Sequence, residues 1–436
     1  MKDCPMKKMI FPQDENFWYL ARQDIGPLRE NLEADVVVVG GGMAGITAAQ
    51  AFAQKGKKVV LLEAYFCGAG ASGKSSGFIT PNGEIGLSEF VRRYGVEGGL
   101  AIWNLLEKRG MEHIRKNIKD YNIECDYIEE DALEVASSEK DLAIIVKEAE
   151  YLSRFGFDSS FTKKEDIPTL LGTKKYYGGV TYRNNFGISG YKYCTAMKNI
   201  LTQQGVAIYE ETPVVTLDAH LVTTLHATVK AETIVVCADR FIPTLGKLTQ
   251  EIYHVQNFLL LSQVLTDHEV QKIFPQRKLM VWDTESIYNF YRMTGNRLLL
   301  GGGSMWKAFN TNASYHSEFM YKKLTNYFAD TFPDIEIQFE QLWPGLIGIS
   351  KDIAPIVGHD KVAQSIYYVG APAGLTVAAM LGNYAADHIV DGQDTLKDYF
   401  SPYREFRVGG VLQSILGTKL SFALSNLNPP RTYQGS

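Results

Sequence analysis

Cysteine is scarce in this 436-residue chain: Cys4, Cys67, Cys125, Cys194 and Cys237 are odd in number, widely spaced and form no C-x-x-C pair. Such spacing predicts neither a disulfide framework nor a cysteine zinc site, and a reducing cytoplasm is the expected compartment. The histidines are equally dispersed. None stands in an H-E-x-x-H or related ligand pattern, so no metal is expected, and His254, His268 and His316 read as surface or core residues. No uncharged apolar run approaches the ~20 residues that span a bilayer. At the amino end, Met1-Lys2-Asp3-Cys4-Pro5 meets charge and proline before any export-type apolar core. Excess charge is also lacking: 44 basic against 49 acidic residues leave a net −5, too mild and dispersed for a nucleic acid or an anionic membrane surface. What is plentiful is material for large cores, with 45% hydrophobic and 12% aromatic residues. By the usual ~150 residues per domain, two or three domains are expected. Small-molecule chemistry fits this composition best.

The pattern with most information is Gly40-Gly41-Gly42-Met43-Ala44-Gly45. It follows the valine run Val36 to Val39 and precedes an alanine-rich helical stretch through Ala48, Ala49, Phe52 and Ala53, which Gly56 ends. Glu63 then closes the apolar run Val59 to Leu62. Strand, glycines, helix and acid in that order form a dinucleotide-binding βαβ unit. Gly40 permits the tight turn, Gly42 lets main chain approach a pyrophosphate, and Gly45 lets the helix pack on the strand. The first helical residues, Met43 and Ala44 among them, bring free N–H groups and the positive dipole end toward the diphosphate. Glu63, about 20 residues past the first glycine, is placed to accept hydrogen bonds from the adenosine ribose, and its charge disfavours a 2′-phosphate.

A second nucleotide fingerprint would point to a reductase fed by NAD(P)H. The sole candidate, Gly301-Gly302-Gly303-Ser304-Met305-Trp306, has a tryptophan where the third glycine belongs and reads as a strand end and turn. One nucleotide is therefore the redox cofactor, and the remaining chain forms a substrate chamber.

Further motifs run along nearly the whole chain. Gly68-Ala69-Gly70-Ala71-Ser72-Gly73-Lys74-Ser75-Ser76-Gly77 follows Glu63 and Ala64. Gly187 to Val215 carries Tyr191, Tyr193, Gly205-Val206 and Glu211-Thr212-Pro213-Val214. Val235-Val236-Cys237-Ala238, Trp343-Pro344-Gly345-Leu346, Asp352 with Pro355 and Gly358, and Tyr367 to Gly374 complete the set. Together they resemble the D-amino-acid oxidase-like FAD oxidoreductases. The Phe17-Trp18-Tyr19 start, the Gly70 to Gly73 turn and the Tyr291-Arg292 to Gly302 stretch are most similar to the gamma-glutamylputrescine oxidase branch. This resemblance implies an α/β fold in which a discontinuous Rossmann-like FAD-binding domain supports an antiparallel-sheet α+β substrate domain that roofs the flavin. FAD-binding pieces are expected at 1–88, 187–243 and 342–400, substrate-domain pieces at 89–186 and 244–341, and a tail at 401–436. Within the tail, Val408 to Leu427 reads as an amphipathic helix docked on its own domain rather than on a membrane or partner.

The same resemblance assigns cofactor roles to Gly70, Ala71, Ser72, Lys74, Ser75, Ser76 and Gly77, to Val214 at the adenine pocket, to Cys237 and Ala238, and to Gly345, Gly370, Gly374, Leu375 and Thr376 at the flavin. Small residues from Gly68 to Gly77 let main chain pass close to phosphates and the ring. Lys74 stands where the branch usually has arginine and is either a point charge near phosphate or a solvated side chain. Relatives that tether the flavin use a histidine in this segment or a cysteine near the C-terminal motif; Ser75, Ser76 and the absence of any cysteine after Cys237 predict non-covalent FAD. The helical pattern through Ala379, Leu381, Tyr384 and Ile389 aims its amino end at the flavin pyrimidine.

The implied reaction is oxidative deamination of an amine or amino-acid derivative, with O2 as acceptor and peroxide as product. Two alternatives share these motifs: an amine dehydrogenase that passes electrons to a quinone or partner protein, and a non-catalytic flavoprotein subunit. An NAD-dependent dehydrogenase on the same βαβ unit is a third. Substrate-binding candidates lie on Ile287 to Met293, where period-two alternation puts Tyr288, Phe290 and Arg292 on one face and Asn289 and Tyr291 on the other. Arg292 is either a carboxylate ligand or a structural pair. Many amino-acid oxidases of the family have an arginine two residues after the glycine of Trp-x-Gly-Leu, where this chain has Ile347, which counts against a free α-amino acid. Neither the oligomeric state nor the individual amine is legible.

Overall fold

A computed structural model describes residues 16–19, 25–81, 84–285, 287–303, 317–406, 410–417, 420–422 and 424. Cys4, His316 and the end of the second glycine run, Ser304 to Trp306, lie outside the described residues. The strands of the first half are β1 Leu32–Val39, β2 Val59–Leu62, β3 Phe78–Ile79, β4 Ile128–Glu129, β5 Ala132–Val135, β6 Ser159–Lys163, β7 Gly178–Tyr182, β8 Phe186–Gly187, β9 Ala207–Tyr209 and β10 Val214–Asp218. Those of the second half are β11 Leu221–Thr224, β12 Thr228–Val236, β13 Ile252–Ser262, β14 Met280–Asp283, β15 Phe290–Thr294, β16 Arg297–Gly303, β17 Phe339–Ser350, β18 Ile356–His359 and β19 Ile366–Gly370. The helices are α1 Met43–Gln54, α2 Ala71–Lys74, α3 Leu87–Leu105, α4 Glu112–Asp120, α5 Glu139–Arg154, α6 Ile167–Leu170, α7 Gly190–Gln203, α8 Asp267–Ile273, α9 Ser317–Thr331, α10 Leu375–Asp391 and α11 Gly410–Leu416.

The first sheet runs β10-β11-β12-β1-β2-β9, with β19 beside β12 and β18 beside β19. Its centre is parallel, β12 and β2 flanking β1 and β19 extending the parallel run at β12. Val36 to Val39 are buried whichever way they point, because α1 and α10 pack with Val36 and Val38 on one face while Ile242, Leu248 and Ile252 pack with Val37 and Val39 on the other. That two-sided burial is why this strand is continuously apolar rather than alternating. α1 and α10 pack on one face, and Gln50 of α1 donates to Asn117 of α4 across a 2.9 Å bond. The pieces come from residues 32–62, 207–236 and 356–370, which is the expected discontinuous Rossmann-like arrangement.

The second sheet runs β17-β13-β16-β15-β14-β5-β7-β6. It is antiparallel apart from the parallel β14–β5 pair. The boundary expected at residue 342 falls inside β17, which stays in register with β13 from Ser350 opposite Ile252 to Gln341 opposite Leu261. Trp343 to Leu346 therefore belong to this sheet. Its two faces separate by alternation. On the back, Phe258, Leu260, Leu298, Leu300 and Leu342 pack with Leu324 and Phe328 of α9. On the front, Leu259, Leu261, Leu299 and Trp343 pack against Trp18, Phe66 and Tyr191. The front face thus closes over the segment that follows β2. The tail is docked in part: Gln413 Nε2 donates to Gln250 O and Phe422 is fully buried, while Leu412 and Ile415 are exposed.

Candidate cofactor and substrate site

At the carboxyl end of β1, Gly40 turns the chain with φ +108°, and a Cβ there would lie 2.7 Å from Cys237 O. A Cβ on Gly45 would come within 1.8 Å of Gly40 O, so α1 reaches this close to β1 only as glycine. Glu63 accepts from Gly41 N at 2.6 Å and from Tyr65 N at 2.9 Å. Burial pushes its carboxyl up, and those main-chain donors oppose the shift. Glu63 main chain bonds Tyr209 O and Thr212 N, which sets the strand turn leading to Val214, the first residue of β10, beside the exposed Ala64. Cys237 N donates to Val39 O at 2.8 Å, bringing Cys237 and Ala238 next to the glycine turn.

The second glycine segment holds one turn of helix: α2 begins at Ala71, and Ser72 Oγ accepts from Met43 N at 2.9 Å. Lys74 is 8% exposed, so the solvated alternative for it does not hold. Ser75 Oγ donates to Ser72 O at 3.0 Å. Gly370 ends β19, and Gly374 caps α10 at φ +106° with Leu375 and Thr376 as its first residues. Thr376 Oγ1 is buried without a partner. Added Cβ atoms at Gly70 and Gly374 would meet nothing within 4 Å, and one at Gly345 would meet only Asn257 O at 4.0 Å. Three glycines, one each before α2, on β17 and before α10, thus border open space beside an acid-tipped nucleotide turn. Main chain bare of side chains along such a path fits an FAD molecule, with Glu63 at its ribose end and the α10 amino end at its ring.

The front of the second sheet roofs this path. Arg292, fully buried, donates from Nε to Ser76 O at 2.6 Å, from Nη2 to Ile188 O at 2.7 Å and from Nη1 to Met293 O at 3.1 Å. It clamps β15 to the glycine segment, and the structure corrects the expectation that it meets substrate: its guanidinium is engaged by main-chain carbonyls. Tyr291 is corrected as well. It faces the back core, 1% exposed, against Phe274 and Phe332. Tyr288 stays at the front edge, half-buried, and donates to Glu84 at 2.7 Å. Phe290 lies over Gly301, where a Cβ would come within 2.2 Å of its ring.

Sequence reasoning missed Asn257. It stands in register between Gly303 and Gly345 on the neighbouring strands, on the front face, and its Oδ1 is buried without a partner. The aromatic residues Phe78, Tyr182 and Trp282 at the same face were missed too. Glycines inside strands are the signal that could have found them, since they mark a close approach of ligand or side chain.

Residues 35–388 match the family model described as FAD dependent oxidoreductase. The chain is 25% identical over 408 residues to a probable oxidoreductase OrdL of Haemophilus influenzae, covering 90% of this chain and 91% of the relative. It is 25% identical over 406 residues to the gamma-glutamylputrescine oxidoreductase of Escherichia coli, covering 88% and 91%. Among solved structures, glycine oxidase from Geobacillus kaustophilus superposes with a TM-score of 0.72 at 19% identity, covering 86% of this chain and all of that one (100%). L-proline dehydrogenase from P. horikoshii gives 0.71 at 17% identity, covering 86% and 98%.

Proposed function

The chain belongs to the FAD dependent oxidoreductase family, and from that premise we propose that it oxidises a C–N bond of an amine or amino-acid derivative, with O2 taking the electrons. When bound, FAD supplies the two-electron acceptor for the hydrogen on the carbon next to nitrogen. Several of the similar proteins whose names describe a substrate act on such compounds, gamma-glutamylputrescine, glycine and L-proline among them, while one acts on L-alpha-glycerophosphate. The observation that carries the reading is the position of Asn257, an unpartnered acceptor on the roof between two glycines, across from the ring end of the cradle.

A neutral amine carries N–H donors, so an amide oxygen such as Asn257 Oδ1 can accept from it and orient it while favouring the protonated form less than a carboxylate would. Arg292 fixes the roof at Ser76 and thereby sets the spacing in which substrate lies. Glu63 would hold the ribose of bound FAD, and Gly374, Leu375 and Thr376 would offer main-chain N–H groups to its ring. The imine product is hydrolysed by water to a carbonyl compound and ammonia or a smaller amine. No helix among the described residues is long and apolar enough to cross a membrane, and we place the reaction in the cytoplasm.

The test is anaerobic mixing of the yellow holoprotein with a panel of primary, secondary and glutamylated amines. Bleaching of the flavin followed by one equivalent of peroxide on admitting air is the expected result. Bleaching with no peroxide would move the acceptor to a quinone or partner protein. No bleaching with any amine overturns the reading.

A further inference from the structure

Five aromatic side chains form a continuous arc along the front of the roof. Tyr182 stacks on Trp282 with centroids 5.8 Å apart and planes 6° apart. Trp282 meets Phe78 at 6.4 Å, Phe78 meets Phe290 at 6.0 Å, and Phe290 meets Tyr288 at 5.7 Å. Phe78, Trp282, Tyr288 and Phe290 are all partly exposed, so the arc is a wall and not a sealed core. Each end carries a carboxylate. Glu134 accepts from Tyr182 OH at 2.8 Å, and Glu84 accepts from Tyr288 OH at 2.7 Å. Arg292, on the same face of the sheet, is fully buried and bonded to three main-chain carbonyls. Ile347, also on the roof strand β17, is apolar.

We propose that this arc binds a second, protonated nitrogen of the substrate, so that the enzyme acts on diamines or longer polyamines in preference to monoamines or carboxylate-bearing amines. The inference rests on the amine reading above and adds to it the charge at the far end of the molecule. Aromatic faces attract a cation within about 6 Å of the ring through their quadrupole, most strongly with tryptophan and when water is excluded. Glu134 and Glu84 supply the charge that compensates an ammonium taken out of water. A carboxylate at the same place would meet two like charges and the negative faces of the rings. Asn257 takes the reacting, neutral nitrogen, while the arc takes the charged one. A substrate with two amines of this kind is oriented by both ends.

The experiment uses holoenzyme in two arms. In the first, kcat/KM is measured for a linear diamine, the alkylamine of equal length and the ω-carboxylate analogue. The diamine is expected to lead by about 10- to 100-fold, the range that cation–π contacts and an ion pair provide. In Trp282→Leu and Glu134→Gln that ratio is expected to fall toward one. In the second arm, calorimetry measures binding of an alkyltrimethylammonium and of the matching alkylsulfonate, neither requiring turnover. The ammonium is expected to bind and the sulfonate not. Amines that reduce the flavin with no charge preference, together with equal binding of the two probes, overturn the inference and leave the amine reading standing. An ammonium that binds in a protein whose flavin no amine reduces supports the arc and removes the amine reading.

Discussion

Lys198 and Glu210 form an ion pair almost entirely out of solvent, with side chains 3% and 0% exposed. Lys198 Nζ lies 3.1 Å from both carboxylate oxygens, and the same oxygens accept from Cys67 N at 2.7 Å and Ile25 N at 2.8 Å. Through Cys67 the pair holds the start of the second glycine segment, and through Ile25 it holds the chain entering β1. Lys198→Met would leave a carboxylate buried with only two main-chain donors. Breaking a buried pair in this way costs about 3–5 kcal/mol, a large share of the ~5–15 kcal/mol that holds a domain folded. Urea unfolding followed by release of flavin fluorescence is the assay, since the affected segment borders the cofactor. Lys198→Met with Glu210→Gln should recover at least half of the loss, because the amide keeps one acceptor and removes the orphan charge. A single variant within about 1 kcal/mol of the parent, or a double variant no better than the single, would refute the claim that an uncompensated charge is the source of the loss.

Gly45→Ala puts a methyl 1.8 Å from Gly40 O, so α1 must leave β1; purified protein is expected without flavin colour, and a fully yellow variant contradicts the packing. Glu63→Gln removes a charged acceptor at the ribose and should weaken FAD by about 1.5–3 kcal/mol, read as the Kd of apoprotein reconstitution; an unchanged Kd would mean that Glu63 serves only Gly41 and Tyr65. His113 is held neutral by burial with its pKa lowered to about 4, and its ring bonds Gln50 Oε1 at 3.0 Å. The unfolded chain binds this proton at about 6.5, so stability is complete above that pH and falls as pH drops toward about 4. His113→Gln should flatten the loss in that window, by up to about 3 kcal/mol, and an identical acid profile would refute the assignment. Arg292→Lys keeps charge but loses the fork that serves Ser76 and Ile188; kcat/KM should fall alike for amines with and without a carboxylate, whereas a selective rise in KM for carboxylates would restore Arg292 as a ligand.

The nucleotide half of the fold was legible because it is local. A valine strand, three glycines, a helix and an acid lie within about 30 residues, and the structure forms the strand, the turn at Gly40 and the close helix approach at Gly45 that this spacing predicts. The roof was legible as a sheet and as alternation: Phe290 and Arg292 do share its front, and Tyr291 does lie opposite. Roles were another matter. Alternation places a side chain on a face but says nothing of which partners wait there, and Tyr291 fell into a core made by helices α8 and α9, residues remote in sequence. Asn257 was invisible for the same reason, since its meaning comes from Gly303 and Gly345, which flank it only after three strands pair. The Gly70 to Gly73 turn is one turn of helix in the structure, although Ala71-Ser72-Gly73-Lys74 has little helical propensity, because Ser72 bonding Met43 N fixes it against α1.

The glycines of this site divide by what approaches them, and that division decides which are replaceable. Gly70, Gly345 and Gly374 face open space, which leaves room for the cofactor that the proposed reading puts there. Gly77 and Gly187 leave room for Arg292: added Cβ atoms would come within 3.0 Å of its Nη2 at Gly77 and 2.3 Å of its Nη1 at Gly187. Gly77 is further committed by φ +78° and by Ile188 O, which a Cβ would approach to 1.7 Å. A glycine-rich segment that resembles a cofactor cradle therefore contains two populations, and the last glycine of the run serves the arginine clamp. Arginine presents five donors in a fixed fork, and two side-chain-free positions, Gly77 just before β3 and Gly187 on β8, are what allow that fork to reach Ser76 O and Ile188 O at once. The roof is consequently held to the cradle by the Arg292 guanidinium and by Trp343, whose Nε1 donates to Lys74 O at 3.2 Å. On the reading proposed above, substrate selection falls to Asn257 and the aromatic arc, whose side chains make no part of either tie.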